Sequence, residues 1–433
     1  DLPVKAKPVQ YVKICTLYGD GFYYIPGSDT CIRFTGYVRA DYNWNGRAPH
    51  VQGQPGAQDR SVSRYTTRHR ANLAVDTRTQ TAYGTLRTFM NMYIENAEGA
   101  NAANASRAFI QWGGFTFGRT ASFTDHEGSL GDAGFRSLYT GLLDATTGAA
   151  GINQIAYTWQ LGNGITLNVG ADEARNRSIW NVTSTAETYG LDPTSSPHGN
   201  SHPDPWVALR VSQAWGRASL AVIGHKNAAR YYTGTVASCV QTGTTLCGYP
   251  DDKWGWAVKA GIEIKLDSLS PGSRIGGYVN YGQGASQIVI NSQTSPGLYG
   301  TGNQIAFGFQ TDAVYGNGSN LELTTTWSTG AGFEYFWTRN FSSTIYGGYT
   351  RTEYNAAGAA LVCTQIAFTG TCDPNYSLWQ VGTHHDWFPV PGLRFAVDVL
   401  YTGIETAFAG QTVTVTKATG NRPTGAYLAK DLG

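Results

Sequence analysis

The chain has 433 residues, 54 of them Gly, with only 14% charged and 31 Lys plus Arg against 30 Asp plus Glu. The near-neutral balance excludes the basic excess of a nucleic-acid binder and the high net charge of a disordered tail. No apolar run approaches the ~18 residues of a transmembrane helix, and low Lys and Met beside abundant Gly, Thr, Tyr and Asn favour strands and turns.

Residues 1–30 read as an irregular segment punctuated by Pro3, Pro8, Gly19, Gly21, Pro26 and Gly27. The absence of Met and of a leader before Asp1 is expected of a processed, exported chain. Six cysteines fall into three close pairs, Cys15 with Cys31, Cys239 with Cys247 and Cys363 with Cys372. Their even number and short spacing predict three loop-closing disulfides in an oxidising compartment; buried thiols or a metal site are the alternatives.

From Cys31 onward the chain alternates with period two. Cys31, Arg33, Thr35, Tyr37, Arg39 and Asp41 fall on one side, and Ile32, Phe34, Gly36, Val38 and Ala40 on the other. The pattern returns over 64–78, 254–266, 321–337 and 393–401, and a helix would scatter these charges around its circumference. Runs of this length exceed the usual ~5–6 residues of soluble strands and suit tilted strands crossing a bilayer, which need ~9–11. Aromatic residues at strand ends, including Tyr42, Trp44, Tyr93, Trp112, Trp159, Trp254, Trp337 and Trp387, fit interfacial girdles.

Connections alternate too. Seven tight turns are predicted near 79–81, 113–114, 162–164, 216, 268–272, 339–340 and 389–392. Long loops are predicted near 43–61, 95–106, 119–150, 171–205, 229–252, 285–320, 355–375 and 403–425. This predicts an all-β, sixteen-stranded antiparallel transmembrane barrel over 31–433, with short turns on one rim and long loops on the other. The last strand would start at Ala426 and run about seven residues to Gly433. Closure would then need roughly ten more residues or help from the N-terminal arm, since a lipid-facing edge is not left unpaired.

The charges are segregated along the chain: of 22 Arg, 11 lie within residues 1–119. Arg33, Arg39, Arg64, Arg68, Arg70 and Arg87 share the polar face of the early strands, where a packed interior would not tolerate them without partners. They are expected to form a hydrated basic wall, or to pair locally with Asp41 and Asp76. Asp125, Glu127 and Asp132 in the 119–150 loop would face that wall as the acidic side of a pore constriction. No nucleophile elbow, Walker or dinucleotide fingerprint is present. His384, His385 and Asp386 are adjacent on a strand, so the two imidazoles point to opposite faces and cannot converge on a metal or a substrate. No catalytic residue, metal site or cofactor is therefore expected.

Four stretches carry a family resemblance. The start Asp1-Leu2-Pro3-Val4-Lys5-Ala6-Lys7-Pro8 and the segment from Cys15-Thr16-Leu17-Tyr18-Gly19 through Phe22-Tyr23-Tyr24-Ile25-Pro26-Gly27 to Cys31 resemble the mature N-terminus of alphaproteobacterial general porins. Phe115-Thr116-Phe117-Gly118-Arg119 and Phe333-Glu334-Tyr335-Phe336-Trp337 are also similar to family stretches, with Tyr335 where His is common. The resemblance implies a homotrimer in the outer membrane of a Gram-negative bacterium, in contact with lipopolysaccharide, passing small hydrophilic solutes by passive diffusion. It also implies that the third loop, 119–150, folds into the lumen. Two other readings stand beside it: a channel with a binding site for one solute class, and a secreted all-β glycan-binding protein.

Overall fold

The computed structural model describes residues 13–44, 50–51, 54–55, 65–97, 99–127, 146–148, 150–175, 179–182, 194–195, 197–199, 201–232, 248–290, 302–365, 371–415 and 424–431. Arg64, Asp132, Cys239 and Cys247 lie outside them.

Sixteen strands form one sheet in sequence order. They are β1 (Tyr23–Tyr24), β2 (Thr30–Trp44), β3 (Tyr65–Thr81), β4 (Gly84–Ala97), β5 (Ala100–Trp112), β6 (Phe115–Thr120), β7 (Ile152–Gly162) and β8 (Ile165–Asp172). They continue with β9 (Asp204–Gln213), β10 (Gly216–Asn227), β11 (Lys253–Lys265), β12 (Arg274–Gln283), β13 (Thr325–Thr338), β14 (Phe341–Glu353), β15 (Tyr376–Val390) and β16 (Leu393–Glu405). The registers are antiparallel, with Thr81 opposite Gly84 and Gln213 opposite Gly216 across two-residue turns.

All seven predicted tight turns join neighbouring strands. At one of them Asn163 and Gly164 both have positive φ, 49° and 71°. A Cβ on Gly164 would meet the Ser212 carbonyl oxygen at 1.9 Å, so only Gly lets the β7–β8 turn lie against the end of β9.

The alternation along each strand separates two environments. Val38 is 87% exposed, Ile94 68% and Val399 63%, whereas Asp76 is 2% exposed and Lys259 fully buried. A water-soluble protein does the reverse, and so continuous an exposed apolar face requires a nonpolar surrounding.

Four expectations need correction. The 95–106 loop is a turn: Ala97 pairs with Ala100, and Asn96 Nδ2 donates to Asn101 Oδ1 at 2.7 Å, a cross-strand pair that extends the ladder through a polar run. The last strand is not Ala426 onward. Gly425–Ala429 instead pairs with Thr412–Val415 and, in parallel, with Gln304–Ile305 in a separate three-stranded sheet. The sixteenth strand of the main sheet is β1, from the segment read as irregular, with Tyr23 opposite Ile32 and Tyr24 opposite Cys31. Tyr93, read as a girdle residue, is on the polar face, its ring 4.0 Å from the Arg70 guanidinium carbon.

The chain forms two compact units. The first holds residues 1–43, 66–120 and 149–157, with β2 to β6 at its centre. The second holds 44–65, 121–148 and 158–433. In the second unit the connections after β8, β12, β14 and β16 pack a hydrophobic core, built on Trp180, Phe307, Phe309, Tyr354 and Phe408, against Tyr376 at the start of β15. A ten-residue helix, Ala356–Gln365, borders it and is tied down by the Cys363–Cys372 disulfide.

Candidate functional site: the charged strand faces

In the first unit the even positions of β3 and the odd positions of β2 and β4 share a face. Pleating stacks Arg33, Arg39 and Asp41 beside Arg68, Arg70, Asp76 and Arg78, and these beside Arg87 and Glu95. Asp76 is the hub. Arg78 donates to both its oxygens (Nε to Oδ1 3.2 Å, Nη2 to Oδ2 2.9 Å), and Arg87 does the same at 3.1 and 3.0 Å. Arg33 Nη2 stands 3.9 Å from Oδ2. Asp41 accepts from Arg68 Nε at 2.7 Å, with Arg39 Nε 3.1 Å away. Glu95 accepts from Arg70 Nε at 2.7 Å and lies 3.7 Å from Arg68 Nε.

Six guanidinium groups thus share three carboxylates. Arg33, Arg39, Arg78 and Arg87 keep 25–36% of their side-chain surface, so the excess positive charge is hydrated rather than buried dry. Of the residues expected at the wall, Arg33 and Arg87 meet at Asp76, Arg39 and Arg68 at Asp41, and Arg68 and Arg70 at Glu95. Arg78 and Glu95 belong to the same network; strand parity was the signal for Arg78, whereas Glu95 opened the stretch read as the 95–106 loop.

In the second unit, Asp125 and Glu127 lie against the polar face of β9 to β12. Asp125 accepts from Thr147 twice, from the backbone N–H at 2.9 Å and the hydroxyl at 2.6 Å, and Lys259 Nζ is 3.7 Å away. Glu127 pairs with Arg210 at 3.4 Å and Arg217 at 3.0 Å, and its N–H donates to Ser219 Oγ at 2.8 Å. Arg210 also donates to the carbonyls of Phe123 and Asp125. A Cβ at Gly261 would meet the Glu127 carbonyl oxygen at 2.0 Å, so this glycine lets the loop backbone lie directly on β11. His126 stacks on Tyr278 with ring centroids 4.2 Å apart. Burial, and then the neighbouring Lys259 charge, push its imidazole well below the usual histidine range and keep it neutral.

From Glu127 the charges run on in alternation. Arg217 bonds Glu263 at 2.9 Å, Arg274 lies 3.5 Å from Glu263, and Arg274 bonds Glu334 at 2.7 Å. Lys259, Glu263 and Glu334 fall within the alternating stretches 254–266 and 321–337, whose pattern by itself does not link them to the loop acids. On β15, His384 is buried between Asp386 and Asp398 at 3.2 and 3.4 Å, while His385 faces the other way, against Ser343.

A family model described as "Porin subfamily" matches residues 1–425. Porin Omp2b of Brucella canis is 24% identical over 319 residues, spanning 67% of this chain and 81% of its own. Porin Omp2b of Brucella neotomae is 28% identical over 222 residues, 48% of this chain and 55% of its own. Among solved structures, the outer membrane channel DcaP of Acinetobacter baumannii superposes with a TM-score of 0.61 at 16% identity, covering 88% of this chain and 94% of that one.

Proposed function

The chain belongs to the porin subfamily, outer-membrane diffusion channels of Gram-negative bacteria, and we propose from this premise that it is an anion-preferring general porin whose selectivity is set by the arginines of β2 to β4. The carrying observation is the six guanidinium groups sharing the carboxylates of Asp41, Asp76 and Glu95, with the surplus charge hydrated. Fixed positive charge along a water-filled path raises local anion concentration and opposes cations. Passage involves no covalent step, and the solutes are small, hydrophilic and unmodified. Asp125 and Glu127, held by Lys259, Arg210 and Arg217, support a third loop that folds onto the polar face and narrows the path. In this reading the working form is a homotrimer embedded in lipopolysaccharide.

Single-channel recording in planar bilayers tests the proposal. The purified protein should open in steps of three, with a reversal potential in a potassium chloride gradient that marks chloride as the more permeant ion. Changing Arg68 and Arg70 to Gln should lower the chloride-to-potassium permeability ratio about twofold or more. An unchanged ratio would remove these residues from the path, and a protein giving no conductance at all would overturn the reading.

A further inference from the structure

The segment before β2 folds back onto the basic wall. Its ends are joined by the Cys15–Cys31 disulfide, and Cys15, Phe22 and Cys31 form a small core with Tyr18 and Tyr24 packed on it. Backbone bonds hold the fold: Cys15 N–H to the Phe22 carbonyl and Tyr24 N–H to the Lys13 carbonyl, both 2.9 Å. The Phe22 ring, 0% exposed, has the guanidinium carbon of Arg33 4.8 Å from its centre and that of Arg78 at 4.9 Å. Arg78 is also 5.5 Å from the Tyr18 ring centre. One aromatic residue therefore contacts two of the three arginines gathered at Asp76.

This contact has electrostatic work to do. Arg33, Arg78 and Arg87 share a single carboxylate and repel one another, and Asp76 offers Arg33 only the longest of the three ion pairs. Arg33 Nε is buried without a hydrogen-bond acceptor among the described residues. An aromatic face attracts a cation through its quadrupole and asks for no acceptor geometry. Fixed charges shape the local potential more strongly than charges averaged over many rotamers.

We propose that Phe22 is a selectivity-determining positioning residue. Through its ring it holds Arg33 and Arg78 at fixed places on the basic wall, and the Cys15–Cys31 bond holds the ring in place. The inference rests on the reading that this wall sets ion preference, so the experiment separates the two. Reversal potentials in a potassium chloride gradient are measured for wild type, Arg33→Gln/Arg78→Gln, Phe22→Leu and Phe22→Tyr, with unitary conductance and trimer heat-modifiability recorded for each. Phe22→Leu keeps an apolar side chain but removes the ring face. It should lower the chloride-to-potassium permeability ratio about twofold while the trimer persists, and Phe22→Tyr should retain the wild-type ratio.

If the double arginine variant shifts the ratio and Phe22→Leu matches wild type, the inference is overturned and the basic wall stands. If neither shifts it, the wall itself is not the filter and both fall. A Phe22→Tyr channel as altered as Phe22→Leu would also overturn the inference, because it would make the effect one of shape rather than of the ring face. Should Phe22→Leu fail to assemble, Cys15→Ala/Cys31→Ala is the second variant: a lowered ratio supports the inference, and a wild-type ratio overturns it.

Discussion

In the first unit six arginines crowd around Asp41, Asp76 and Glu95, whereas in the second cations and carboxylates alternate from Lys259 and Asp125 through Arg217, Glu263 and Arg274 to Glu334. Both arrangements occupy the polar side of long strands whose other side is apolar and exposed. The first leaves surplus charge that water and neighbouring aromatic faces stabilise. The second closes its charges on one another and uses them to anchor the root of the third loop. One strand pattern therefore supports two arrangements of charge, an exposed cationic surplus and a closed chain of pairs that fastens a loop.

The largest effect that could sharpen this contrast comes from the disulfides. Cys15 and Cys31 are separated by 16 residues and Cys363 and Cys372 by 9, so loss of either bond is expected to cost about 3 kcal/mol by the chain-entropy model. The consequences should differ by location. Cys15→Ala/Cys31→Ala should change ion selectivity, because that bond carries the Phe22 contact. Cys363→Ala/Cys372→Ala should leave selectivity unchanged and raise amide hydrogen exchange in the helix Ala356–Gln365. Equal effects of the two variants on permeability would break the contrast.

Next in size is the carboxylate pair Asp76 and Glu263. Asp76→Asn leaves Arg33, Arg78 and Arg87 without their shared partner. After discounting for their partial exposure, this should cost about 2 kcal/mol against chemical denaturation and raise the chloride-to-potassium ratio. Glu263→Gln leaves Arg217 with Glu127 and Arg274 with Glu334, so it should cost under about 1 kcal/mol and move the ratio less. If Glu263→Gln moved selectivity as far as Asp76→Asn, the second unit's charges would belong to the conducting path as much as the first's.

The smallest effect is pH sensitivity in the second unit. Because the folded protein holds His126 neutral, its folded value lies below its unfolded one near 6.5. The unfolded chain then takes up a proton that the folded chain does not. The contribution to stability is complete above about pH 6.5 and declines as pH falls, by at most ~1.4 kcal/mol per pH unit. Thermal midpoints measured from pH 8 to 5 should fall more steeply for wild type than for His126→Phe. The arginine pairs of the first unit have no matching response, since their cations stay charged throughout that range. Identical slopes for the two proteins would remove His126 from the account.

Local chemistry made much of this legible. Period-two alternation identified which side of each strand is polar, and Gly-containing tight turns identified where strands reverse. The pairing of arginines with Asp41 and Asp76 was open to sequence reading because neighbouring strands place residues of known parity side by side. It failed where local pattern was silent. The 95–106 stretch carries Asn and Ala, which look loop-like, yet Asn96 and Asn101 bond across the ladder. Tyr93 has the composition of a girdle residue but the parity of the Arg70 face, and parity prevailed.

Alternation and turn chemistry reach only a few residues along the chain, and over that reach they were sufficient for strand faces, reversals and the segregation of arginine. They carry no information about partners more than a hundred residues away. The pairing of Gly425–Ala429 with Gln304–Ile305, the seating of Glu127 on Gly261 and the shared core of four connections arise from long-range packing. There the free energy of burying aromatic surface and matching distant charges outweighs what any one segment prefers by itself.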